Sequence, residues 1–148
     1  MIRQSALIHE FVEFMPEILQ AGKLYVSIRF ATAAHKCCCG CGNEVYTPIS
    51  PTDWTLIFDG VSVSLEPSIG NWGFSCRSHY WIRHNRVHWA GQWSDDQIEA
   101  GRAREARAKE AHYLTKEQPT PPVAVIPPES SRPKIGFLQR LKMLLGLK

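Results

Sequence analysis

The sequence has no long apolar run. None of its segments approaches the roughly 18 consecutive apolar residues that a membrane-spanning helix needs. Charge of one sign is scarce too. Seventeen Lys and Arg face fourteen Asp and Glu, a formal net charge of +3. That is mildly basic and only weak evidence for nucleic acid, because a dedicated binder concentrates cations on one face. Near the N-terminus Glu10 and Glu13 interrupt any apolar stretch, so no secretory leader is expected and a cytoplasmic, reducing location is predicted. Internal repeats at solenoid periods are absent. No local catalytic signature sets a nucleophile beside a base and an orienting group.

What is present is a concentration of cysteine. Four of the five cysteines fall within Cys37-Cys38-Cys39-Gly40-Cys41, and the fifth, Cys76, precedes His79 by three residues. Cys38 with Cys41, and Cys76 with His79, make two arms of the two-residue spacing by which proteins commonly hold one tetrahedral Zn²⁺. Cys37 and Cys39 compete for the first position. A turn favours Cys38 with Cys41, whereas strand alternation puts Cys37, Cys39 and Cys41 on one side. The expected ligands are therefore four of Cys38, Cys39, Cys41, Cys76 and His79, with Cys37 able to replace Cys38 or Cys39. Gly40 and Gly42 permit the tight backbone a thiolate site requires. A disulfide inside the cluster would close almost no loop and stabilise little. His35, just before the cluster, could replace a cysteine but reads better as a polar loop residue.

The first ninety or so residues read as short strands. His9 to Phe14 and Glu44 to Ile49 are strand-like. Leu24 to Phe30 alternates, with Leu24, Val26, Ile28 and Phe30 on one face. Asp59-Gly60, between Trp54–Phe58 and Val61–Leu65, predicts a hairpin with a type I′ turn. Pro67 to Gly73 reads as a turn region and Trp72 to Cys76 as a strand. A further hairpin is expected about His84-Asn85. Ser94 and Gln97 form a capping box that opens a charged helix, with Glu105 and Lys109 as a favourable i,i+4 pair. Six prolines between Pro119 and Pro133 mark a linker, and Phe137 to Leu145 has one apolar helical face.

The fold class is therefore mainly β: a small antiparallel, zinc-stabilised, zinc-ribbon-like domain over residues 1–92. A charged helix over 93–117, a disordered Pro-rich linker over 118–134 and an amphipathic terminal segment over 135–148 follow.

Several segments together resemble a known family. They are His9 to Phe14, Leu24 to Ile28, Cys39-Gly40-Cys41-Gly42, Pro51-Thr52-Asp53-Trp54, Pro67-Ser68-Ile69-Gly70-Asn71-Trp72 and Cys76-Arg77-Ser78-His79-Tyr80-Trp81-Ile82. They are similar to a bacterial and phage family of small cysteine-rich proteins classed as a domain of unknown function, over about residues 7–92. Some of its members accompany bacterial ubiquitin-like conjugation genes. The resemblance implies protein partners of the E1-like, E2-like or ubiquitin-like kind. In the family the position of Cys38 is commonly proline, which implies Cys37 or Cys39 as the ligand beside Cys41.

The function expected from these features is that of a zinc-stabilised, non-catalytic accessory or interaction protein in such a pathway. Trp72, Trp81, Trp89 and Trp93 are candidate interface anchors as well as core residues. One alternative is a nucleic-acid-binding module using Arg77, Arg83, His84, Arg86 and His88 beside aromatic rings. Another is a thiol or zinc-dependent enzyme component in which Cys39, His79 and Asp53 act together. No catalytic residue is assigned.

Overall fold

The structure is a computed structural model and describes residues 2–117. The predicted linker and amphipathic segment over 118–148 lie outside the described residues.

The described chain is mainly β. Two four-stranded sheets are followed by one helix. The first sheet has the order β1 (Ile8–Phe11), β2 (Lys23–Ser27), β3 (Thr32–Lys36) and β4 (Glu44–Pro48). Its β1–β2 pair is parallel and the others antiparallel. The second is an antiparallel meander of β5 (Thr55–Phe58), β6 (Val63–Gly70), β7 (His79–Arg83) and β8 (Arg86–Trp89). Both sheets contribute to one core that includes Leu24, Val26, Val45, Val63, Leu65 and Ile82. A smaller cluster of Leu19, Tyr25 and Ala34 covers the other face of the first sheet. This explains why β2 is buried on both faces. Burying one such aliphatic side chain contributes about 1.5–3 kcal/mol.

The alternating run starting at Leu24 does not continue to Phe30. The strand stops at Ser27, leaving Ile28 and Phe30 exposed, and the chain turns back at Ala31 (φ 45°) to form β3. That strand, Thr-Ala-Ala-His-Lys, has little of the bulk that marks a strand, because its alanines pack closely against β2. His35 is consequently no loop residue. It is fully buried, bonded to the Tyr80 hydroxyl at 2.8 Å, and burial holds its pKa down to about 4.

Both hairpins form, but their turns differ from expectation. Asp59 N–H bonds to the Ser62 carbonyl, so Gly60 and Val61 are the central pair. Only Gly60 has positive φ (95°), which matches a type II′ turn with glycine first. The Asp59 carboxylate instead accepts from the Val61 and Ser62 amides. The type I′ pattern, with positive φ at both central residues, occurs at His84 (48°) and Asn85 (61°).

Helix α1 (Asp95–Glu117) starts at the expected capping box: Ser94 N–H donates to Gln97 Oε1, and Gln97 N–H to Ser94 Oγ. Ile98 and Gly101 are its buried positions, and two ion pairs tether it: Arg77 with Asp95, and Lys109 with Asp53.

Candidate active site and metal centre

Strand β6 is longer than its sequence suggests. Proline and glycine made 67–73 look like a turn, yet pairing with β7 resumes after a break between Leu65 and Ile69. Three residues, Glu66 to Ser68, stand opposite the single Trp81 there. A bulge of this kind bends a strand and re-aims a side chain. Here the re-aimed residue is Ser68. Gly70, two residues on, pairs with His79 at the start of β7. A Cβ at Gly70 would collide with the Trp72 indole, so the glycine lets that ring fold back over the strand. The stretch from Trp72 to Cys76 is consequently a run of turns rather than the predicted strand.

These features bring Ser68 to His79. The Ser68 Oγ lies 2.9 Å from His79 Nε2, and His79 Nδ1 lies 3.1 Å from the Gly91 carbonyl. A carbonyl can only accept, so Nδ1 carries the proton. Nε2 then presents its lone pair, and the serine hydroxyl donates to it. Gly91 is held in place because the neighbouring Ala90 amide bonds to the His79 carbonyl. The imidazole is almost completely buried, with Trp72, Trp93 and Trp81 ring centroids 4.9, 5.1 and 5.6 Å away. Ser68 is half-buried and opens onto a cleft of about 490 Å³ bounded by Trp72, Trp93 and α1.

The thiols gather nearby. The Sγ atoms of Cys37, Cys39, Cys41 and Cys76 all lie within 4.8 Å of one another, a group that could hold a metal ion. Cys37–Cys39, Cys41–Cys76 and Cys37–Cys76 are separated by 3.4, 3.8 and 4.0 Å. Disulfide sulfurs stand about 2.05 Å apart, so these are free thiols. A tetrahedron with Zn–S bonds of about 2.3 Å has edges of about 3.8 Å, so the set has the size of a four-thiolate site. Gly40 (φ 85°) lets the loop turn directly beneath the backbone of Ile2, where a Cβ would approach the Ile2 carbonyl to 2.8 Å.

Two of the expected ligands, Cys38 and His79, stand outside this four-thiol group. Cys38 points into the core, fully buried, and burial raises its pKa to about 12. His79 has both ring nitrogens engaged, by Ser68 and Gly91. Cys37 to Gly40 form a tight turn, in which the Gly40 amide donates to the Cys37 carbonyl, and Cys37, Cys39 and Cys41 come together round it. Cys39 and Asp53 likewise do not join His79 in a thiol triad: Asp53 is bonded to Lys109 and Ser50. Burial raises the pKa of Cys37 and Cys39. At Cys76 burial acts in the same direction, but hydrogen bonds from Ser78, Cys39 and Cys41 outweigh it and bring the value to about 7.

A buried polar network joins the two sites. Asn71 Nδ2 donates to Ser78 Oγ (2.9 Å) and reaches Tyr80 Oη (3.3 Å), and Ser78 Oγ lies 3.1 Å from Cys37 Sγ. Ser78 directly precedes His79, so the thiol cluster and the imidazole are anchored through one segment.

A family model described as bacterial ubiquitination-like system serine protease (BubE) matches residues 11–90, more than half of the chain. The chain belongs to the BubE family. The comparison with curated proteins and that with solved structures gave no match. The BubE description overturns the expectation of a non-catalytic accessory protein, while the link to a ubiquitination-like system agrees with the resemblance seen in the sequence. Sequence reasoning had singled out the run Pro67 to Trp72 but passed over Ser68. Its partner lies eleven positions away on another strand, and only the β6–β7 pairing brings them together. Among the described residues no helix is long and apolar enough to cross a membrane.

Proposed function

We propose that this chain is a serine protease of a bacterial ubiquitination-like system, with Ser68 as nucleophile and His79 as general base. The observation that supports it most is the hydrogen bond from Ser68 Oγ to His79 Nε2, with Nδ1 fixed by the Gly91 carbonyl. In that tautomer Nε2 is ready to accept a proton. Ser68 Oγ attacks the scissile carbonyl carbon while its proton passes to Nε2. The carbonyl π electrons move to oxygen, giving a tetrahedral oxyanion. His79 then returns the proton to the leaving amine as the C–N bond breaks. Water, deprotonated by the same nitrogen, hydrolyses the acyl–Ser68 ester. The backbone carbonyl of Gly91 does the orienting that a carboxylate does in a triad. Burial among tryptophans keeps water from competing for Nε2. The turn over Asn71 to Gly73 borders the same cleft, and its Trp72 and Gly73 amides donate to no other described residue. They are the proposed oxyanion donors.

The cofactor in this reading is one structural Zn²⁺ on Cys37, Cys39, Cys41 and Cys76. Four protein ligands leave no open position, so the ion supplies folding energy, on the order of 10 kcal/mol. The partners are ubiquitin-like proteins and their conjugates, as the family description suggests.

The test is cleavage of a ubiquitin-like protein or its conjugate from such a system, followed by intact mass. The wild-type chain should release a defined fragment and Ser68→Ala should not. Equal cleavage by the two proteins would refute the assignment.

A further inference from the structure

Helix α1 begins beyond the matched stretch 11–90, yet it forms one wall of the cleft onto which Ser68 opens. Its seat is specific. Buried Ile98 and Gly101 face the cleft, and a Cβ at Gly101 would come within 3.3 Å of the Trp93 ring. Trp93 in turn stacks on Trp72, at 5.7 Å and 21°. The wall beside the nucleophile is thus a tryptophan pair backed by the helix. The ion pairs Arg77–Asp95 and Lys109–Asp53 hold the helix on either side of this contact.

The charges left on this wall are uneven. Arg102 and Arg104 line the cleft together with one carboxylate, Glu105. A second, more open cleft of about 520 Å³ continues past Trp93 and is lined by Arg104 and Arg107. None of these three arginines has an ion-pair partner among the described residues, although Arg77, Arg83 and Lys109 each do. Lys109 is taken up by Asp53, so Glu105 stands as the one carboxylate against the two arginines of this cleft. A cationic strip therefore runs from the nucleophile's cleft across an aromatic shelf.

We propose that α1 is the substrate-selecting wall of this cleft, its Arg102 and Arg104 recognising a carboxylate on the bound peptide. The tryptophan pair would take the peptide's apolar surface and the guanidinium forks its anion, the geometry in which arginine excels. The carboxylate can come from an acidic side chain or from a free chain end. The proposal rests on the protease reading only for what happens to the peptide afterwards.

The test uses the full chain carrying Ser68→Ala, which binds without turnover. It is titrated with short Ala-Gly-Leu peptides that carry one Asp, one Lys or neither, each with an amidated or a free C-terminus. Tryptophan fluorescence is the readout, with the same titrations repeated on a variant that also carries Arg102→Glu and Arg104→Glu. The expected result is about tenfold tighter binding of a carboxylate-bearing peptide over the neutral amidated one, the size of a charge-assisted contact. That preference should weaken with salt and vanish or invert in the charge-reversed variant. Preference for Asp in amidated peptides identifies a side-chain carboxylate; preference for the free end in peptides without Asp identifies a chain terminus. Equal affinity for all peptides, no binding of any, or a preference that survives charge reversal would overturn the proposal. Labelling of Ser68 by a fluorophosphonate separates the two ideas. Labelling with no charge preference removes the role of α1 alone, whereas charge preference without labelling removes the protease reading.

Discussion

The thiol cluster and the Ser68–His79 pair lie side by side, joined through Ser78, yet they leave opposite traces in the sequence. Three of the cluster's four members sit within five residues, and cysteine is rare enough for its crowding to stand out. The pair consists of a common serine and one of six histidines, on different strands, with no intervening motif. A metal site needs ligands that chain geometry can deliver locally. A general base needs only a lone pair aimed at a hydroxyl, and that aim comes from a bulge, a strand register and a backbone carbonyl.

The largest effect expected from this contrast is on the thiol side. Cys76→Ser should abolish metal binding and unfold the β6–β7 end, a loss on the order of 10 kcal/mol, because metal binding and folding are coupled. Thermal melting with metal analysis of freshly reduced protein checks this. Under the same measurement His79→Gln and Cys38→Ala should each keep one metal per chain. If His79→Gln lost the metal, the paired-arm spacing would describe the site better than the four thiols do.

Next in size is the effect on the dyad. Ser68→Ala should lower peptide-bond cleavage about a thousandfold or more while the melting temperature and metal content stay at wild-type values. A fall in both activity and stability would mean that the serine serves packing rather than chemistry.

Much of the fold was legible. The capping box at Ser94 and Gln97 is local chemistry that the structure realises bond for bond. The alternation at Leu24 and Val26 and both hairpins followed from side-chain period and turn residues. Strand β3 was hidden, because alanines chosen for close packing carry no strand signal. The outer half of β6 was hidden too, because Pro67 and Gly70 punctuate a sequence whatever the bulge then does with them. Cys38 has a ligand's spacing to Cys41, yet the turn over Cys37 to Gly40 puts its side chain in the core, which spacing alone does not reveal.

Gly70 tests the link between the bulge and the cleft. Gly70→Ala places a methyl where the Trp72 indole lies, so the ring must move and the wall of the cleft with it. A cost of about 1–3 kcal/mol in stability is expected from overpacking. Cleavage activity should fall further than that of a variant equally destabilised elsewhere. Gly60→Val supplies such a comparison. Its turn is far along the sheet and exposed, and a β-branched residue at φ 95° should cost about 1 kcal/mol or more while leaving cleavage unchanged.

The most direct measurement is covalent. The reduced, metal-loaded full chain is incubated with a fluorophosphonate, which phosphonylates, with loss of fluoride, a serine whose hydroxyl is activated by a base. Peptide mass mapping should find one adduct, on Ser68, and it should be lost in His79→Gln although that variant keeps its metal and its fold. An adduct at another serine, no adduct in well-folded protein, or labelling undiminished without His79 would contradict the account.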